Sequence, residues 1–134
     1  MNPKRIGELT KDYQKALARL EASLKEDLSK GSIVIDGTIQ RFEFSFELAW
    51  KTLRAVLQFQ GIEANTPRAV IKDAFKAKLV EKGEGWIDML EDRNKTSHIY
   101  DEKQANTIYK KIKGSHYALL SDWAERLEEE SSGK

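Results

Sequence analysis

Helical spacing runs through almost the whole chain, and only Pro3 and Pro67 stand in its way as prolines. Ile6, Leu9, Tyr13, Ala16, Leu17, Leu20, Leu24 and Leu28 recur at intervals of three and four. They draw one apolar stripe along a long first helix, which Gly31-Ser32 is expected to end. Ala105, Ile108, Tyr109, Ile112, His116, Leu119, Trp123 and Leu127 repeat the pattern in a last helix. Its start is signalled by Asp101 with Gln104 three residues on, a variant of the capping box.

The segment from about Thr38 to Gln60 differs. At 100° per residue, Ile39, Phe42, Phe46, Ala49, Trp50, Leu53, Val56 and Leu57 share one arc, and Phe44, Leu48, Ala55 and Phe59 share another nearly opposite. Glu43, Glu47, Lys51, Arg54 and Gln58 lie between them. A helix apolar on two sides is either central in a bundle or part of an interface. Phe44, Leu48 and Phe59 are the candidate partner or dimer surface. Glu47 and Lys51 are an ordinary i,i+4 pair.

Two shorter helices complete the pattern. Thr66 is the expected N-cap of one, with Pro67 at its first position and Ile71, Ala74, Phe75 and Leu79 on its apolar face. Gly83-Glu84-Gly85 reads as a turn, and the other begins near Trp86 with Ile87, Met89 and Leu90. Three long and two short helices in 134 residues predict an all-α, antiparallel up-and-down bundle forming one domain over 1–134. A frayed polar tail is expected at about 128–134.

Composition limits the chemistry. Without Cys there is no disulfide, thiolate metal site or Cys nucleophile. With His only at 98 and 116, a multi-His metal site within one chain is disfavoured, and no metal is expected. No apolar run resembles a signal peptide or a membrane span, so a cytoplasmic protein with no membrane contact is expected. The net charge of +1 excludes a bulk polycation. Beyond residue 120, five carboxylates face only Arg126 and Lys134, a net of −3, so residues 1–120 carry +4.

One polar cluster has chemical content: Arg93-Asn94-Lys95-Thr96-Ser97-His98-Ile99-Tyr100. Arg offers a rigid fork of donors matched to phosphate, and His titrates near neutrality. Together they suit metal-free RNA cleavage, in which the ribose 2′-OH is the nucleophile. On an unbroken helix Arg93 and His98 would stand about 140° apart. They converge only if the helix ends within the run or if two copies meet. The Asn, Thr and Ser residues favour such an ending. A solvated helix terminus is the competing reading. His116, on the apolar arc, reads as a satisfied core histidine. Lys110, Lys111 and Lys113 read as a solvated basic face, or else as phosphate contacts.

Arg93-x4-His98-x-Tyr100 resembles the R-x4-H-x-Y motif of the HEPN superfamily. The blocks 41–51, Pro67-Arg68 with Ala74-Phe75, and 86–100 resemble its nucleotidyltransferase substrate-binding branch more closely, over roughly residues 36–112. The resemblance implies an all-α HEPN-like bundle, usually a homodimer. It also implies a small minimal nucleotidyltransferase partner, encoded nearby, in a toxin–antitoxin module. Arg93 and His98 would form a metal-independent ribonuclease site acting on RNA, supported by Asn94, with the two motifs of a dimer facing one cleft. AMP transfer to Tyr100 would silence it. ATP and Mg would serve the partner, and this chain would need no cofactor. The alternative implied by the same resemblance is a non-catalytic substrate-binding subunit of a two-component nucleotidyltransferase.

Overall fold

The computed structural model describes residues 3–131. Helix α1 spans Pro3–Leu24, α2 Ile33–Phe59, α3 Pro67–Lys76 and α4 Gly83–Lys95. Helix α5 (Glu102–Lys111) passes through a π-helical turn, Ile112–His116, into α6 (Tyr117–Ser131), so the three form one rod. Short 3₁₀ turns lie at Leu28–Lys30 and Thr96–His98. Three long rods and two short helices thus make the all-α bundle, and no strand occurs among the described residues.

Helix α2 packs against each of the other α-helices, which makes it the central element. Its buried face carries Ile39, Phe42, Phe46, Ala49, Trp50, Leu53, Val56 and Leu57, as its main arc requires. Trp86 of α4 and Trp123 of α6 fill the same core. Two buried hydrogen bonds join the helices: Trp123 Nε1 donates to Thr52 Oγ1 at 2.8 Å, and the Tyr13 hydroxyl donates to the Leu120 carbonyl at 2.6 Å. Gly85 lets α4 close on α6, because a Cβ there would lie 2.9 Å from Leu119 Cδ1.

Sequence signals mark the helix ends. Thr66 Oγ1 accepts from Ala69 N at 3.2 Å, and Pro67 follows at the first helical position. Asp101 caps α5 by accepting from Gln104 N at 2.8 Å, while Gln104 Oε1 accepts from Tyr100 N at 3.2 Å. Helix α2 closes in a Schellman motif: Ile62 N donates to Leu57 O, Gly61 N to Gln58 O, and Gly61 takes φ 84°. Helix α3 closes the same way, with Leu79 N donating to Ala74 O and Lys78 N to Phe75 O. The left-handed residue there is Lys78, at φ 63°.

Several boundaries differ from expectation. Helix α1 stops at Leu24, and Leu28 lies exposed in the following 3₁₀ turn rather than on the stripe. Helix α2 begins at Ile33 rather than Thr38, and Ala55 is buried rather than part of an outer face. Gly83–Gly85 is the first turn of α4, not a loop. Phe75 is 50% exposed, because the short α3 turns Val70, Ile71 and Ala74 inward instead. Helix α6 continues through Ser131, and the rest of the expected frayed tail lies outside the described residues. No described helix is long and apolar enough to cross a membrane.

Candidate active site

The cluster at 93–100 is built on the ending of α4. The last helical residue is Lys95, and the chain tightens into the 3₁₀ turn Thr96–His98 before an extended Ile99. Thr96 secures the break: its hydroxyl donates to Glu43 of α2 and lies 2.6 Å from the Arg93 carbonyl. Arg93 and Lys95 in the last turn also complement the negative end of the helix dipole.

Arg93 turns toward α2. Its Nη2 donates to Glu47 Oε1 at 3.1 Å, and both side chains are half-exposed. Glu47 also pairs with Lys51 at 3.4 Å, so it is shared between two cations rather than committed to one helical neighbour. Asn94 is exposed beside it. His98 is exposed and lines a groove of about 520 Å³ together with Lys95, Lys103, Gln104, Thr107 and Lys111. Arg93 is not among the residues lining that groove. Tyr100 is 83% exposed and lines a neighbouring groove with Leu28, Ile35, Asp36 and Glu102. Ile99 and Asp101 border both grooves and form the ridge between them. The helix therefore ends between Arg93 and His98, as convergence within one chain would require. Their side chains nevertheless leave toward different surroundings.

Beneath the groove lies a feature the sequence does not announce. Asp92 is buried, and its Oδ2 lies 2.6 Å from His116 Nε2 and 2.7 Å from Lys111 Nζ. Lys111 Nζ also reaches Asp88 Oδ1 at 3.1 Å. The His116 ring stacks on Phe42 of α2, with centroids 5.6 Å apart and planes 18° apart. Its Nδ1 is buried without a hydrogen-bond partner among the described residues. His116 is thus a core histidine, as expected, but satisfied on one nitrogen only. Lys111 is an ion-paired strut rather than a solvated lysine. Burial acts to lower its pKa, yet hydrogen bonds to Asp92 and Asp88 outweigh burial and raise it above the ordinary value. Asp88, Asp92 and His116 bring potential ligand atoms within 4.8 Å of one another. The Lys111 ammonium already supplies the positive charge between the two carboxylates. The result is a clamp that ties the residue before Arg93 to the π turn of the α5–α6 rod and, through the ring stack, to α2.

Residues 9–129 match the family model described as "Nucleotidyltransferase substrate binding protein like". The chain belongs to this family. A Haemophilus influenzae member of the curated proteins, named "Probable ribonuclease HepT", is 32% identical over 84 residues, which is 59% of this chain. The chain spans 58% of that relative's length. Among solved structures, a Thermus thermophilus protein superposes with a TM-score of 0.79 at 33% identity, covering 86% of this chain and 98% of the other. A second structure, from Haemophilus influenzae, has a TM-score of 0.69 at 23% identity, covering 95% and 99%. It is described as revealing the fold of a substrate-binding domain of a nucleotidyltransferase, and its likeness carries the bundle fold alone.

Phe44, Leu48 and Phe59 do not serve the core alone. Phe44 is 52% and Phe59 61% exposed, with Leu48 half-buried between them along α2. Helix α2 is therefore central on one side and partly uncovered on the other.

Proposed function

We propose that this chain is a metal-independent ribonuclease of the HEPN type, working beside a minimal nucleotidyltransferase in a toxin–antitoxin module. The observation that carries the reading is the break of α4 between Arg93 and His98, which leaves the guanidinium half-exposed and the imidazole exposed. Membership of the family and the similarity to a protein named as a probable ribonuclease support it.

In this reading the ribose 2′-oxygen attacks the adjacent phosphorus. The new P–O2′ bond forms as the P–O5′ bond breaks, giving a 2′,3′-cyclic phosphate and a free 5′-hydroxyl. His98 moves the proton, taking it from the 2′-OH or giving it to the 5′-oxygen. Arg93 holds the negative phosphorane oxygens with paired donors. Asn94 lies beside Arg93 as a supporting donor. Because Arg93 and His98 of one protomer face different surroundings, the working site takes Arg93 from one copy and His98 from another. The uncovered α2 face with Phe44, Leu48 and Phe59 is the surface on which two copies would meet. A mixture of Arg93→Ala and His98→Ala chains tests this. Each is inactive alone, and mixing restores part of the RNA cleavage in EDTA because a mixed dimer holds one complete pair.

Tyr100 is the proposed acceptor of AMP from the partner, which uses ATP and Mg. Its phenol oxygen forms a bond to the α-phosphorus while pyrophosphate leaves. Only a ridge separates its groove from that of His98, so the added phosphate would repel an RNA strand approaching there.

A second reading is favoured by the Arg93–Glu47 pair, which occupies the guanidinium within one chain. Here the chain presents a substrate to the nucleotidyltransferase and cleaves nothing. The partner's turnover on its acceptor would then depend on this chain.

A further inference from the structure

Helices α3 and α4 leave an open groove of about 990 Å³ between them, and neither Arg93, His98 nor Tyr100 lines it. Its floor is apolar, made by Ile71, Phe75 and Ile87. Phe75 is half-exposed, and its ring lies against the first turn of α4. Gly83 makes room for the ring, since a Cβ there would stand 3.1 Å from both Cγ and Cδ1 of Phe75. The two rims carry opposite charge. Lys72 and Lys76 stand one turn apart on α3, while Glu84, Asp88 and Glu91 follow at i, i+4 and i+7 on α4. The rims meet at one end, where Arg68 of α3 lies 3.7 Å from Glu91 of α4. Asp88 is engaged by Lys111. Lys72, Lys76 and Glu84 are exposed and have no ion pair among the described residues.

We infer that this groove is the docking site for an amphipathic helix of a partner protein, one with leucine-like anchors at i, i+4 and i+7, carboxylates along one flank and lysines or arginines along the other. The argument is charge complementarity over an apolar floor. The acidic flank would face Lys72 and Lys76, and the basic flank Glu84 and Glu91. Glu84 to Glu91 covers about 10 Å, the length of two turns of the incoming helix. Its anchors would pack on Phe75 and the two isoleucines, and no strand among the described residues offers an edge to an extended peptide instead. The opposite signs of the rims also fix the direction of the bound helix, because reversing it brings like charges together. The inference does not depend on the ribonuclease reading.

The test uses the full chain and three labelled helical peptides with identical leucine anchors. One has a glutamate flank and a lysine flank, one has glutamate on both flanks, and one has lysine on both. Binding is followed by fluorescence anisotropy at fixed ionic strength for wild type, Phe75→Ala and a Lys72→Glu/Lys76→Glu double variant. All three side chains are exposed, so the fold should persist, and circular dichroism checks it. Wild type should bind the mixed peptide about tenfold more tightly than either uniform one. The double variant, with both rims acidic, should reverse this and prefer the lysine-flanked peptide by about tenfold. Phe75→Ala should weaken the mixed peptide by about tenfold, as loss of an aromatic anchor does. If wild type binds none of the peptides, or if neither variant changes affinity or preference, the inference is overturned. It also falls if Phe75→Ala lowers the oligomeric mass of the chain in light scattering, which would make the groove an interface between copies.

Discussion

Arg93 on α4 and Glu47 on α2 meet at 3.1 Å, and this pair sets the direction of the guanidinium in the isolated chain. Both side chains are half-exposed, so the pair contributes at most about 1 kcal/mol to stability. Its effect on orientation is larger, since misplacing a phosphate-binding fork weakens transition-state contacts steeply. Glu47→Gln should therefore leave the urea midpoint nearly unchanged while lowering RNA cleavage by about tenfold or more. Parallel denaturation and cleavage assays check the split.

Asp92 is a different kind of pair-maker, because it is buried between His116 and Lys111. Removing one member of a buried charged group leaves the others without compensation, at about 3–5 kcal/mol. Asp92→Ala should lose that much in urea denaturation. Asp92→Asn, which keeps an acceptor oxygen, should lose less.

Lys78 holds a left-handed position that closes α3, where a Cβ is unfavourable. Lys78→Gly should raise stability by about 1 kcal/mol despite the added freedom of the unfolded chain. A higher thermal midpoint with the same helical circular dichroism checks this.

Alkaline pH should weaken the fold, and the sign follows from two groups. Burial pushes the Tyr13 phenol well above its ordinary range, and the Lys111 ammonium is also raised by its carboxylate partners despite burial. In each case the proton is held more tightly in the folded state. That contribution is complete below the unfolded pKa of about 10 and is lost as pH rises through the folded value. Unfolding measured from pH 8 to 11 should show stability falling above about pH 10. Tyr13→Phe should flatten part of that slope, leaving the part due to Lys111 and to Tyr117, which burial also raises.

Most of the fold was legible because burial follows the 3.6-residue period so closely in α1, α2 and the α5–α6 rod. Thr66, Pro67 and Asp101 announced their helix starts through side-chain chemistry that acts locally. The early start of α2 was hidden by Ile33, Val34 and Ile35, β-branched residues with weak helical preference that tertiary packing overrides. The clamp was hidden because Glu91-Asp92-Arg93 reads as a solvated charge run. A signal was available: Asp92 follows Met89 by three residues, on the inward side of α4, and a core histidine such as His116 requires a partner. The 93–100 break was legible from its Asn, Thr and Ser content. The directions of Arg93 and His98 were not, because they depend on Glu47 and on the start of α5, distant in sequence.

The exposed stripe on α2 gives a further test of how copies meet. Phe44→Asp places a charge in the middle of the proposed dimer face without entering the core, since Phe44 is half-exposed already. Light scattering should give about twice the 15.4 kDa chain mass for wild type and the single-chain mass for the variant.

Metal-free RNA cleavage by Arg93 and His98 underlies the proposed function. It is measured by incubating the purified chain with RNA in EDTA, after mass spectrometry has established that Tyr100 carries no AMP. We expect cleavage leaving 2′,3′-cyclic phosphate ends, and a loss of about 100-fold or more in His98→Ala with its helical spectrum intact. RNA left equally intact by unmodified wild type and by His98→Ala, or cut equally by both, would overturn the proposal.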